Sequence, residues 1–482
     1  MRVLEQLEPK NVLSFFEDLC AIPHGSGNTK AISDYCVKFA KDRGLEVHQD
    51  SLNNVVIVKP ATPGYEAAPT VIVQGHLDMV TEKTPESTIH FLTDGLELEV
   101  DGDFVRARGT TLGGDDGIAV AMALAVLDAH DLAHPRLECL FTIDEETGMD
   151  GAVGFDASIL QGKRLVNIDS EEEGILTVSC AGGAHAAVRI PMTANECALD
   201  SAEIRISGLK GGHSGAEIDK GRANATITLG RVLQALVDEL EVRLVSAEGG
   251  LKDNAIPNAA RAVIALDDGR LPRAQALCAE LQDTLRKEYA AADPGVTVTF
   301  TPGTVASQAL TLRDTKKVCC FLGLYPNGIE SMSMDIPGLV QTSCNLGIFK
   351  VDAAGLEGSG SVRSSVASRK QLLLRRIGLL AEGLDGTLCV SGEYPAWEYR
   401  RESHLRDVMC KVYKDQYGTD MKVEAIHAGL ECGLFCGKIP GLDAVSFGPN
   451  LYDIHTTSER MSISSVQRVY AYLCAVLQAL KD

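Results

Sequence analysis

The chain has 482 residues, 45% hydrophobic and 23% charged, an ordinary globular composition long enough for two or three domains. A formal charge of −21 argues against nucleic acid and anionic membranes as partners and suits a cation. The N-terminal "MRVLEQLEPKNV" lacks a signal-peptide core, Gly117 to Leu127 is too short an apolar run to span a bilayer, and 14 cysteines include no C-x-x-C pair, so a cytoplasmic protein with reduced thiols is expected.

In chain order, Asn11 to Ala21 and Thr29 to Arg43 are amphipathic and predict helices. "NNVVIV" (Asn53 to Val58) and "TVIVQGH" (Thr70 to His76) predict strands, Asp115 to Ala129 a helix, and Leu137 to Ile143 and Arg164 to Asp169 further strands. This alternation predicts an α/β sheet that is mostly parallel and covered on both faces.

The middle follows another recipe. "AEIRISGLKGGHSG" (Ala202 to Gly215) reads as a strand entering a glycine-rich turn, and Arg222 to Leu240 as a helix. Thr342 to Gly355, Gly360 to Val366 and a helix from Arg369 to Glu382 look like the same α+β unit again, without a clean sequence repeat. Asp443 to Pro449 resumes an apolar strand, and Ser464 to Leu480 is a closing helix. The expected division is a first domain over residues 1–186, an inserted and doubled α+β domain over 187–393, and a return to the first domain over 394–482.

Acidic and histidine residues cluster just beyond the apolar runs. His76 and Asp78 follow one strand, Asp115-Asp116 open a helix, Asp144-Glu145-Glu146 follow "LFTI", Asp169 ends "RLVNID", and His455 follows "AVSFGP". In open α/β sheets the ligand crevice lies outside the carboxyl ends of the strands, so these groups would share one edge. Each alone also reads as a strand end, a helix cap or a solvated acidic patch. Together they suit two divalent ions, because crowded carboxylates need positive charge among them and mixed histidine/carboxylate ligation fits zinc.

Several blocks resemble the aminoacyl-histidine dipeptidases, the peptidase D or carnosine-splitting branch of the aminoacylase/carboxypeptidase G-like dinuclear zinc peptidases. They include "GHLDMV", "ARGTTLGGDDGIAVAMALAVL", "TIDEETGMDGA", "NIDSEEEGILTVSCAGG", "GLKGGHSGAEI", "AIPNAA" and "IHAGLECGLF". The resemblance runs from Ile22 to the C-terminal helix and is looser over the inserted domain, which it identifies as a lid. It implies two zinc ions, favoured over manganese or cobalt, bridged by Asp115. His76 and Asp169 would complete one site, and Glu146 and His455 the other. Asp78 would orient a metal histidine, with residues i and i+2 of an extended chain pointing the same way.

The resemblance further implies Glu145 as general base and a cis Asp115–Asp116 peptide; adjacent residues on extended backbone point to opposite sides, so Glu145 and Glu146 can both serve the site only through a local bend. His213 would stabilise the oxyanion from the lid, and Arg363 and Gly429 are candidates for gripping the substrate carboxylate. Arg363 also reads as a structural strand residue. The family's C-terminal metal histidine sits in a Pro-His-Ser-Pro-like context, whereas here it stands in "DIHTTSE", with Glu459 retained nearby. The implied activity is hydrolysis of unblocked dipeptides, notably Xaa-His such as β-alanyl-histidine. Homodimers are common in the family. Asp rather than Glu at 169 resembles the aminopeptidase and dipeptidase branches. The alternatives are an N-acyl amino acid hydrolase, which would not need a free substrate N-terminus, and a non-catalytic peptide-binding relative, which would be expected to have lost ligands or the base.

Overall fold

The computed structural model describes residues 2–481. The chain folds into two compact units: 1–179 with 399–425 and 430–482, and 180–398 with 426–429.

The first unit is built on an eight-stranded sheet. Its order is Glu46–Gln49, Val55–Lys59, Leu137–Thr142, Val71–His76, Arg164–Asn167, Asp443–Ser446, Ile175–Cys180 and Lys422–Ile426. The four strands from Leu137–Thr142 to Asp443–Ser446 run parallel. Antiparallel ladders flank them on both sides. The mostly parallel expectation thus describes the centre of a mixed sheet. The reason is local on one flank: the turn between Glu46–Gln49 and Val55–Lys59 is too short for a crossover, and Asn53 enters it at φ 84°. Because the central strands are parallel, their carboxyl ends all lie on one edge.

The helix Gly114–Asp128 is buried almost all round, which explains why "GIAVAMALAVL" is apolar on every face. It packs against Lys10–Cys20, with the Phe16 ring 3.3 Å from where a Cβ on Gly117 would stand. Its other side meets the strand Val71–His76, and Gly75 makes that approach possible. A Cβ there would lie 2.6 Å from Asp116 Oδ2 and 2.7 Å from the Ala119 Cβ.

The second unit holds one continuous antiparallel sheet rather than two separate ones. Four strands (Thr297–Pro302, Ala194–Ser207, Ala260–Leu266 and Arg243–Gly249) form one half. Val340–Asp352, Gly355–Ser364, Gly182–Ile190 and Thr387–Tyr394 form the other. A short ladder, Ala247–Gly249 against Phe349–Val351, joins the halves. The helices Ala225–Glu239, Leu271–Glu288, Leu312–Leu324 and Ala367–Gly383 share a single apolar core with this sheet.

Gly75→Ala is expected to lower stability by about 1–3 kcal/mol through overpacking between sheet and helix. Chemical denaturation measures it, and an unchanged midpoint would contradict the close approach.

Candidate metal centre

Four strand ends and one helix start deliver the acidic and histidine groups of the first unit to the same edge. His76 is the last residue of its strand and is buried. Its Nε2 lies 3.2 Å from Asp115 Oδ1 and 3.9 Å from Asp169 Oδ1. On the other side of Asp115, His455 Nε2 lies 3.2 Å from Oδ2 and 2.9 Å from Glu146 Oε1. One carboxylate therefore presents each of its oxygens to a different imidazole, and each imidazole has a further carboxylate beside it.

The local backbone shapes this arrangement. Asp115 lies in a non-helical turn (φ −85°, ψ 103°) at the start of its helix, and the Asp115–Asp116 peptide is cis. Glu459 holds that turn from the C-terminal segment. Its carboxylate accepts the N–H groups of Leu112 (2.7 Å), Gly113 (3.2 Å) and Gly114 (2.9 Å). His455 itself adopts a left-handed conformation, φ 61°, in a loop that brings its ring back to Asp115.

The chain bends just before Glu145 and Glu146: Asp144 takes φ 53° and the short helix Glu145–Gly148 follows, which brings a carboxylate oxygen of each within 4.8 Å of the other. Asp78 stabilises that bend. Its carboxylate accepts the N–H groups of Glu145 (3.0 Å) and Glu146 (3.3 Å) and the Ser26 hydroxyl (2.7 Å). His76 Nδ1 lies 3.0 Å from the Asp78 carbonyl oxygen and 3.4 Å from the carboxylate Oδ1. Asp78 therefore faces the imidazole with its backbone as well as its side chain. Asp116 completes the anchoring of His76 by accepting its backbone N–H at 3.1 Å.

Ser26 is a contributor that sequence reasoning missed, and Asp116, placed at this edge by the sequence, holds the His76 backbone in a way it did not foresee. The only sequence signal for Asp116 is its adjacency to Asp115. Ser26 stands 52 positions from its partner and carries none.

The electrostatics show what the crowding costs. Burial pushes the Glu145 carboxyl up to about 7, opposed by His76 and reinforced by the charges of Glu146, Asp115 and Asp78. Burial, with the charge of Asp116, raises Asp169 well above the carboxylate range. Burial would raise Asp115 too, but hydrogen bonds from His455 and His76 hold it below the usual range. The imidazoles respond inversely. Hydrogen bonds to Asp115 and Glu146 lift His455 to about 10. Burial alone would lower His76, yet Asp115, Asp78 and Asp169 hold it well above an ordinary histidine.

Donor atoms of His76/Asp116/Asp169, of His76/Glu145/Glu146 and of Asp115/Glu146/His455 each fall within 4.8 Å of one another. The mixture of imidazole nitrogen and carboxylate oxygen fits a borderline divalent ion, and two such charges would relieve the repulsion.

The second unit brings its own candidates together. His213 Nδ1 accepts the N–H groups of Gly215 (3.2 Å) and Ala216 (3.0 Å), which leaves the proton of a neutral ring on Nε2. Burial, then the charge of Arg363, lowers its pKa and keeps it neutral. Arg363 Nη1 donates to the Tyr394 hydroxyl at 2.9 Å, while its buried Nε has no hydrogen-bond partner. A Cβ on Gly215 would stand 3.0 Å from the His213 ring and 3.2 Å from Arg363 Nε. One on Gly429 would stand 2.9 Å from the Tyr394 ring, so Gly429 leaves room for that side chain. His427, unremarked in the sequence, joins them through a 2.7 Å bond to Ser343, and burial together with Arg363 lowers it to about 4.

The fold and site define an α/β protein whose sheet edge carries donor sets for metal. The chain belongs to Peptidase family M20/M25/M40, which matches residues 72–479. It is 34% identical over 482 residues to the cytosol non-specific dipeptidase of Escherichia coli (strain K12), covering 100% of this chain and 99% of that protein. The crystal structure of aminoacylhistidine dipeptidase from Vibrio alginolyticus superimposes with a TM-score of 0.95 at 35% identity, covering 99% of this chain and 98% of that one. Aminopeptidase PepT from Bacillus cereus shares the fold, with a TM-score of 0.56 at 15% identity over 99% of this chain and 100% of that one. None of the fourteen cysteines is joined in a disulfide, and no helix among the described residues is long and apolar enough to cross a membrane.

Loading with zinc at pH 7 is expected to release at least two protons, because imidazole ligates only when neutral and His76 and His455 are both held protonated, with Asp169, raised well above the carboxylate range, adding to the count. For the same reason affinity should fall as pH drops below about 10, where His455 becomes protonated. Calorimetry in buffers of different ionisation enthalpy counts the protons, and release of none would contradict these charge states.

Proposed function

We infer that the protein is a metal-dependent dipeptidase acting on unblocked dipeptides, with Xaa-His substrates such as β-alanyl-histidine among them. The observation that carries this reading is Asp115 divided between two imidazole–carboxylate pairs. The full-length likeness to two proteins named as dipeptidases supports the substrate class. The name of the Escherichia coli relative also favours a cytosolic location.

Asp115 would hold both metal ions, His76 and Asp169 one of them, and Glu146 and His455 the other. Zinc is the ion the donor set favours, with manganese or cobalt as the substitutes to compare. Such ions, when bound, polarise a peptide carbonyl and acidify water.

The chain's own groups supply the proton handling. Glu145, beside Asp115 and Glu146 at the donor edge, would take a proton from water and return it to the leaving amine. Asp78 keeps Glu145 in place through the backbone N–H of the base itself. We assign the Nε2–H of neutral His213 to the developing oxyanion, a role that needs an uncharged ring with a fixed tautomer. Arg363, whose buried Nε is unpaired, is assigned to the substrate carboxylate, with Gly429 making room beside Tyr394. The second unit would then serve as the inserted lid.

The test is histidine release from β-alanyl-histidine by chelated protein, with and without zinc added back. Zinc should restore release, and Glu145→Ala should lower kcat by about 10²- to 10⁴-fold while keeping both metal ions. Wild-type turnover by that variant with metal bound would remove Glu145 from the chemistry. A metal-loaded protein that instead cleaves only N-acylated amino acids would establish the deacylase alternative.

A further inference from the structure

A buried polar layer lies one step behind the ligand edge of the first unit. Gln74 and Asn167 stand two residues before His76 and Asp169 on adjacent parallel strands. Thr142 lies opposite His76 on the strand at the other side, three residues before Glu145. All three are buried, in the centre of a sheet where apolar side chains are the rule.

Their hydrogen bonds converge on one carboxyl. Asn167 Nδ2 donates to Gln74 Oε1 at 2.6 Å, and Gln74 Nε2 donates to Glu431 Oε2 at 2.6 Å. Gln74 Nε2 also lies 3.3 Å from the Thr142 hydroxyl, which donates to the same Glu431 Oε2 at 2.7 Å. Glu431 opens the helix Glu431–Lys438 and is 0% exposed. Its Oε2 is filled by two donors, and its Oε1 is buried with no partner. No lysine or arginine reaches it among the described residues. A carboxylate buried without a cation is costly, whereas a carboxylic acid with its proton on Oε1 satisfies both donors and carries no charge.

The surroundings favour the acid form. Burial, then the charge of Glu145, raises Glu431 to about 8, with His76 and the Thr142 hydrogen bond opposing and Asp78 adding to the rise. Asp116, on the neighbouring helix, also faces it electrostatically.

We propose that Glu431, as a neutral carboxylic acid, is a positioning residue that locks the Gln74, Thr142 and Asn167 strands at the spacing that presents His76, Glu145 and Asp169. Its consequence for metal rests on the reading given under Proposed function, while the network itself does not. Glutamine is the closest replacement, because its carbonyl oxygen can accept both bonds and its NH2 group replaces the protonated oxygen. Alanine leaves Gln74 and Thr142 without their acceptor.

The experiment compares the parent, Glu431→Gln and Glu431→Ala. Zinc affinity is read by competition with a chromophoric chelator, and unfolding midpoints of the metal-free proteins are read between pH 6 and 9. Glu431→Ala should bind zinc about 10- to 100-fold more weakly and lose kcat more than KM, whereas Glu431→Gln should stay within about threefold of the parent in zinc affinity. The folded carboxyl, at about 8, binds its proton more tightly than the unfolded chain. The parent therefore loses stability from this group as pH rises towards 8, and the Gln variant, which cannot titrate, should show a flatter profile. Parent-like zinc binding by the Ala variant, a Gln variant as weak as Ala, or identical pH profiles for parent and Gln would overturn the proposal. If the parent binds no zinc, the metal-centre reading fails, and the metal-free pH profiles still decide the state of Glu431.

Discussion

The position of the Asp115 carboxylate between His76 and His455 is the constraint on which the rest of the first unit depends. A single carboxylate facing two imidazoles has to be held from the backbone, and the protein does so with a glycine turn clasped by the Glu459 carboxylate. Around it, Asp169, Glu145 and Glu146 would repel each other at such close quarters. The metal-free protein answers with protons on imidazoles and carboxyls, and metal ions would take their place. The same crowding would favour divalent cations at this edge and raises the proton affinity of Glu145.

Parallel strand topology is what brings these groups together. Val71–His76, Leu137–Thr142, Arg164–Asn167 and Asp443–Ser446 all point the same way, so residues separated by hundreds of positions emerge at one edge. The antiparallel strands at the flanks widen the sheet without adding to the histidine and carboxylate groups at that edge. The second unit uses the opposite plan, an antiparallel sheet whose two halves meet at three residue pairs, and it gathers neutral and cationic donors rather than carboxylates. Each unit has its own charge logic, acidic in the first and cationic around Arg363 in the second.

Much of this is legible in the sequence because the ligand edge is written in short, local patterns. An apolar run followed by His76 or Asp169 already tells where a strand ends and what it carries. A bend that lets the adjacent Glu145 and Glu146 reach one site is expected from the sequence, and the chain turns at Asp144, just before them. Less legible are the bonds between distant segments. Ser26 on Asp78, Glu459 on the Asp115 turn and the Gln74–Thr142–Glu431 layer join residues 52 to 357 positions apart, and nothing in the local pattern of either partner signals the other. The direction of the flanking strands escapes the sequence for a related reason: hydrophobic runs of buried strands look alike whether their neighbours are parallel or antiparallel.

The most direct test of the bridging role of Asp115 is anomalous diffraction from zinc-soaked crystals at the zinc edge. Two peaks about 3.5–4 Å apart are predicted on either side of the Asp115 carboxylate, one beside His76 and Asp169 and the other beside His455 and Glu146. A single peak, or zinc bound away from Asp115, would contradict that role.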